Sequence, residues 1–277
     1  MRKEGYCAFG AEQVVQAVQS LQQAMESLEP HNIQTVARAQ QDAHQLQTCL
    51  TLFRGCYPKT RVALWKRRLR RVIRALNALH DTLRLAQWVQ SLSPPVVARA
   101  GVARALLRLR QQADAQAKVL QRAWHRWLAT HAPNELIGLS RRWRESFVSE
   151  PPDCAYVQRV WQLFHREQVS ALELGTGQSL EVRCGRLRAL IEAHTLLQPL
   201  LGAGAGDALE AEWCALEAMR FRQYALQTLA ALQETERERT LNHTGNLRGF
   251  SRIQRGLQWL VEQAQGAGNH LSERESE

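Results

Sequence analysis

The sequence predicts an all-α fold, and three observations carry that expectation. Apolar residues recur at steps of three and four almost everywhere, no segment alternates for long enough to build a sheet, and breaks rich in Pro or Gly divide the chain into helix-sized pieces. With 277 residues the chain suffices for one large helical domain or two smaller ones, each with a real core.

The elements follow in order. Val14, Val18, Leu21, Met25 and Leu28 place one apolar stripe on a first helix that ends near Pro30. A second helix is expected from about Ile33 to Phe53, where the turn from Gly55 to Pro58 stops it. The third contains WKRRLRRVIRALNALHDTLRLAQWV, Trp65 to Val89, with neither Gly nor Pro inside it. Beyond Pro94 and Pro95 a fourth should run to about Thr130, followed by a shorter fifth around Glu135 to Phe147. Pro151 and Pro152 mark the expected boundary, giving an N-terminal bundle over 11–150 and a C-terminal bundle over 151–265. The second should hold helices near Asp153 to Leu174, Gln178 to Leu197, Asp207 to Gln233 and Ser251 to Ala264, with GTGQ and GAGAGD as glycine-rich linkers. The segment ETERER reads as a solvated helix end, and the tail 266–277 is expected to fray.

The two halves share a pattern. RLRALI, Arg186 to Ile191, begins close to half the chain length after QLQTCL, Gln45 to Leu50. At nearly that offset Leu69, Ile73, Leu76 and Leu79 fall opposite Leu209, Trp213, Leu216 and Met219. A helix pair recurring at that spacing suggests two similar bundles related by a pseudo-twofold internal repeat.

Charge narrows the function. The formal net charge is +10, which favours an anionic partner. Lys3, Lys59, Lys66 and Lys118 are the only lysines, so arginine, whose planar fork suits phosphate oxygens, supplies most of the positive charge. A GC-rich genome would enrich arginine as well. On the third helix Val62, Trp65, Leu69, Val72, Ile73, Leu76, Leu79 and Leu83 collect on one face. Lys66, Arg67, Arg70, Arg71 and Arg74 collect on the other, within an arc of about 140°. No acidic residue occurs between Pro58 and His80, whereas a solvated helix face ordinarily intersperses Glu among its cations. Like charges at i,i+4 cost only a few tenths of a kcal/mol per pair, so a plain basic face is tolerable too. The missing acids tip the balance towards an anion site.

The pairing of VARAQQDAHQLQTCLTLF, Val36 to Phe53, with a following helix that carries LNALHD, Leu76 to Asp81, resembles the CHAD domain, the conserved histidine α-helical domain. In that frame the family histidine falls on Ala37, the arginine positions fall on Gln40, His44, Gln45 and Gln47, and Asp81 matches the family Asp. In the second half QSLEVRCGRLRALIEA keeps Arg186, Leu187 and Arg188, with Gln178, Glu181 and Gly185 at other motif positions. The resemblance runs from about Gln13 to Leu232. It implies two helical bundles, a basic groove or cavity between them, and binding of inorganic polyphosphate.

Catalytic and metal chemistry find no motif. The histidines lack H-x-x-x-H and H-E-x-x-H spacing, and no P-loop, dinucleotide fingerprint, nucleophile elbow or triphosphate-tunnel E-x-E-x-K is present. We therefore expect a non-enzyme without cofactor or metal. Cys7, Cys49, Cys56, Cys154, Cys184 and Cys214 form no C-x-x-C pair and read as buried, reduced thiols. No signal peptide and no run of 18 apolar residues occurs, so a cytoplasmic protein without a membrane partner is expected.

The expected site comprises Lys66, Arg67, Arg70, Arg71 and Arg74, with His80 as an additional donor. The second half contributes Arg183, Arg186 and Arg188. The ligand is inorganic polyphosphate. One alternative is a helical nucleic-acid-binding protein using the same arginines, although the basic arc carries no aromatic for base stacking. The other is a structural or scaffold protein without the ligand. The oligomeric state stays open.

Overall fold

The computed structural model describes residues 4–147, 152–173, 179–201 and 206–266. Pro151, the GTGQ linker, most of GAGAGD and residues 267–277 of the tail lie outside them. Among the described residues there is no strand. The helices are α1 (Glu4–Glu26), α2 (Ile33–Leu52), α3 (Lys59–Ser91), α4 (Arg99–Leu128), α5 (Ala132–Phe147), α6 (Cys154–Glu173), α7 (Leu180–Leu201), α8 (Gly206–Thr244) and α9 (Phe250–Gly266), with a 3-10 turn over Phe53–Cys56. The all-α class is the one the periodicity predicts.

Local chemistry sets the ends. The Asn32 side chain accepts a hydrogen bond from the Gln34 N–H at 3.0 Å and caps α2, and Asp153 does the same for α6 through the Ala155 N–H. Gly245, in the left-handed region with φ +66°, closes α8 as its N–H donates to the Leu241 carbonyl. α1 ends at Glu26, short of the expected end near Pro30, and α8 exceeds its expected length. α1 continues through Gly10, where a Cβ would lie 2.2 Å from a Phe53 ring carbon, so the glycine admits the ring. α8 continues past Gln233 through ETERER, which is a correction to the solvated end expected there. Glu236 is buried and accepts hydrogen bonds from Arg104, at 2.6 Å, and from Arg108.

The chain divides into two compact units, and neither is a sequence half. The first unit comprises Met1–Asn77 with Ala117–Glu217, and the second Ala78–Gln116 with Ala218–Glu277. The expected boundary between 11–150 and 151–265 therefore does not separate the compact units. The reason lies in α3, α4 and α8, which are long enough to contribute one part to each unit.

In the first unit α1 packs on α2 and α5, α6 packs on α7, and α2 packs on α7. Val14, Val18 and Leu21 of α1, Leu46 and Leu50 of α2, and Trp65, Leu69, Val72 and Leu76 of α3 are all buried, as the helical spacing requires. Each such side chain contributes about 1.5–3 kcal/mol. Tyr6 donates to the Leu52 carbonyl at 3.2 Å, and Trp143 Nε1 donates to the Cys56 carbonyl at 2.7 Å.

That packing corrects the expectation of six reduced, buried thiols. Cys7 and Cys56 form a disulfide, with their Cα atoms 5.4 Å apart at a sequence separation of 49. Cys49 and Cys184 are buried thiols, while Cys154 and Cys214 are exposed. No local motif announces the pair, because only the folding of the 3-10 turn against α1 brings it together.

The second unit has its own core of Leu85 and Val89 from α3, Val102 and Leu109 from α4, Leu229 from α8, and Leu257 and Leu260 from α9. α4 and α9 cross at Gly101 and Gly256. A Cβ on Gly101 would meet the Ile253 carbonyl oxygen at 2.3 Å, and one on Gly256 would meet the Ala98 carbonyl oxygen at 2.3 Å. Asp81 is buried and receives both Nη groups of Arg220 at 2.7 Å. Burial would raise the Asp81 carboxyl, but the Arg220 hydrogen bonds outweigh it, with help from His80, and the carboxyl titrates below its ordinary range. No helix among the described residues is long and apolar enough to cross a membrane.

Candidate anion-binding site

The basic face of α3 borders a cavity of about 640 Å³ in the first unit, lined by Arg54, Lys59, Lys66 and Arg70 together with Gly55, Val62 and Ala63. Sequence places these residues simply. Lys59, Val62, Ala63, Lys66 and Arg70 occupy successive turns of one side of α3, and Arg54 comes from the 3-10 turn that the Cys7–Cys56 bond holds to α1. No acidic residue lines the cavity. The nearest ion pair joins Arg54 to Glu167 of α6 at 3.2 Å, with both side chains more than half exposed.

Electrostatically the cations are crowded. The Lys66 ammonium is pushed below its ordinary value, first by partial burial and then by the positive charges of Arg54 and Arg70, against a smaller opposing pull from Glu167. Arg70 Nε donates to the Lys66 carbonyl at 3.3 Å, which fixes the stem and leaves the exposed guanidinium tip able to donate elsewhere. A multivalent anion in this cavity would relieve the repulsion and find charge-assisted donors from three positions on α3 and one on the adjoining turn.

The expected site residues are not all brought together. Lys66 and Arg70 line the cavity, and Arg71 lines a second, smaller one with Arg122 and Arg126 of α4. Arg67 and Arg74 are exposed and line neither. His80 belongs to the second unit, where its Nδ1 lies 3.9 Å from the Asp81 carboxylate. Arg183 and Arg186 sit on α7, each half-buried, and line neither cavity. Arg188 stacks over the Trp213 ring at 5.1 Å.

Arg188 also belongs to an interior polar cluster of α2, α3 and α7. Gln40 donates to the Asn77 side-chain oxygen at 2.9 Å, His44 Nε2 lies 3.3 Å from the same oxygen, and Thr48 donates to Glu192 at 2.7 Å. Burial, and next the Arg188 charge, push the His44 imidazole down to about 3. Burial raises the Glu192 carboxyl to about 7 despite Thr48 and Arg188. Gln40 and His44 stand at positions where the CHAD resemblance would set arginines. The helix pair that the resemblance would line with cations thus holds a neutral cluster with Arg188 as its cation, and the crowded cations lie on α3.

Arg54, Lys59, Arg122 and Arg126 are absent from the sequence-based expectation. Signals for them exist: Arg54 directly precedes the turn before the basic helix, and Arg122 and Arg126 stand four apart on α4 in a stretch without acid from Ala115 to Asn134. Among the described residues no group of three His, Cys, Asp or Glu could hold a metal ion. Comparison of the chain with protein-family models, curated proteins and solved structures gives no match.

Proposed function

We propose that the chain is a divergent CHAD-like protein that binds inorganic polyphosphate and does no chemistry on it. The observation that carries this reading is the acid-free cavity in which Arg54, Lys59, Lys66 and Arg70 converge. A scaffold protein without a ligand would scatter such charges, and a protein reading single-stranded nucleic acid would place aromatics among them. No aromatic side chain lines the cavity. The same reading takes the halves 11–150 and 151–265 as copies of one unit. Its support is the order α1, α2, α3 echoed by α6, α7, α8.

The test is a titration with polyphosphate of one defined length, competed with single-stranded DNA and RNA. Arg70→Glu together with Arg74→Glu should weaken polyphosphate binding by roughly a hundredfold or more, because each change removes an attraction and adds a repulsion. Both residues are exposed and Glu is a good helix former, so thermal unfolding should move by less than about 1 kcal/mol. Wild-type affinity should also fall steeply with salt. Unchanged binding by the folded double variant returns α3 to a solvated basic face, and preferential binding of DNA or RNA replaces polyphosphate as the ligand.

A further inference from the structure

A second cavity, of about 210 Å³, lies on the other flank of the α3 basic face, lined by Arg71 of α3 and by Val119, Arg122, Ala123 and Arg126 of α4. It too lacks both acid and aromatic side chains. Arg122 and Arg126 are exposed, one helical turn apart, and Arg122 Nε donates to the Lys118 carbonyl at 3.2 Å, so the side chain lies along its helix. The whole of this cavity, like the first, belongs to the first unit.

Helical geometry connects the two. Viewed down the axis of α3, the helical repeat sets its cations side by side in the order Lys66, Lys59, Arg70, Arg74, Arg67 and Arg71. The first cavity thus takes the cations at one edge of the arc and the second takes Arg71 at the other. Arg74 and Arg67, which line neither cavity, occupy the ridge between them, and both are exposed. A path that leaves the first cavity at Lys66 or Arg70 and crosses the ridge near Arg67 reaches Arg71 and the second cavity, while Lys59 and Arg74 stand further along the axis on either side. From Lys66 to Arg71 the arc is roughly 13 Å at a helix radius of about 5–6 Å and the axial rise about 7.5 Å, so the crossing spans about 15 Å. A triphosphate, with three phosphorus centres, does not bridge it, whereas a longer polymer does.

We infer that the protein holds one polyphosphate chain across α3 at two subsites, Arg54, Lys59, Lys66 and Arg70 on one side and Arg71, Arg122 and Arg126 on the other, and so selects long-chain polyphosphate over short. The inference rests on the polyphosphate reading and adds a second subsite and a length requirement to it. Joining two weak subsites through one polymer makes the second contact intramolecular, which raises affinity without any new kind of contact.

The full chain would be titrated with triphosphate and with long-chain polyphosphate of one defined length. Wild type is compared with Arg122→Ala/Arg126→Ala, and with Arg252→Ala/Arg255→Ala, which removes equal charge from the exposed surface of α9. The expected result is a tenfold or greater loss of long-chain affinity in the Arg122/Arg126 variant, less than a twofold change in the α9 variant, and far weaker wild-type binding of triphosphate than of the long chain. Long-chain binding unchanged in the Arg122/Arg126 variant, but lost in Lys66→Glu/Arg70→Glu, overturns the second subsite while the polyphosphate reading stands. An equal loss in the α9 variant overturns it as well, since net charge alone would then account for the effect. Absence of wild-type binding to either polyphosphate removes both readings together.

Discussion

Glu192 shows how far a single residue can depart from the behaviour its type suggests. It looks like a helix-surface carboxylate next to Arg188 in sequence, one turn on, yet burial holds its proton until the pH reaches about 7. Because its folded-state pKa is raised, the folded protein keeps a proton that the unfolded chain releases above its ordinary 4.5. The associated stability is complete below 4.5 and is lost as the pH climbs towards 7. Glu192→Gln keeps an acceptor for Thr48 and cannot ionise. It should leave stability nearly unchanged at acid pH and raise it by a few kcal/mol at pH 8, read from denaturant midpoints across pH. A variant less stable than wild type at pH 8 would show that the ionised carboxylate is worth more to Arg188 than its burial costs. Residue types alone do not reveal such positions, because nothing in a pattern of Gln, His and Glu tells which side chains end up sharing an interior. The arginine face of α3 was legible for the opposite reason: amphipathic spacing fixes which cations point outward from one helix without reference to any other.

Elements were legible wherever periodicity had clear punctuation, as at Pro30 and Pro58 on either side of α2. They were less so where tertiary contacts override the local pattern. ETERER is not the solvated helix end its charges suggest, since Arg104 and Arg108 hold Glu236 in the interior. The Cys7–Cys56 bond joins elements that sequence leaves 49 residues apart. In the chain-entropy account closing a loop of that length stabilises the fold by about 4 kcal/mol. The crossing of α4 and α9 gives a sharp element-scale prediction. Gly101→Ala adds a methyl where the Ile253 carbonyl oxygen stands at 2.3 Å, and backbone on both sides must part. It should destabilise by about 1–3 kcal/mol in spite of alanine's better helix propensity. Gly138→Ala, in α5 with nothing within 4 Å, should instead stabilise by about 0.5–1 kcal/mol. Thermal unfolding of the two single variants checks the contrast, and equal effects would mean that α4 and α9 do not pack as closely as their glycines imply.

At the scale of the whole molecule, a repeat in sequence and a compact unit in space need not coincide. Every cation of the two cavities, from Arg54 to Arg126, lies before residue 150, which would suggest that an N-terminal fragment binds alone. The packing argues otherwise. The first unit needs α6 and α7, whose Val157, Phe164, Leu187, Leu190 and Leu197 are buried, and the core of the second unit needs Leu229 of α8 with Leu257 and Leu260 of α9. A fragment ending at residue 150 retains part of each unit and exposes the apolar faces that the missing helices cover. Each lost large side chain forfeits about 1.5–3 kcal/mol, and a few of them exceed the 5–15 kcal/mol by which a domain is ordinarily stable. The fragment 1–150 should therefore unfold without a cooperative transition and bind long-chain polyphosphate far more weakly than the full chain, despite owning all the cations. Mixing it with 151–277 should restore both the transition and the affinity, because complementary helices rebuild both cores. Circular dichroism melts and polyphosphate titrations of the fragments, alone and together, read this directly. A fragment that melts cooperatively and binds as tightly as the full chain would mean that the N-terminal half is a domain in its own right, as its sequence alone suggests.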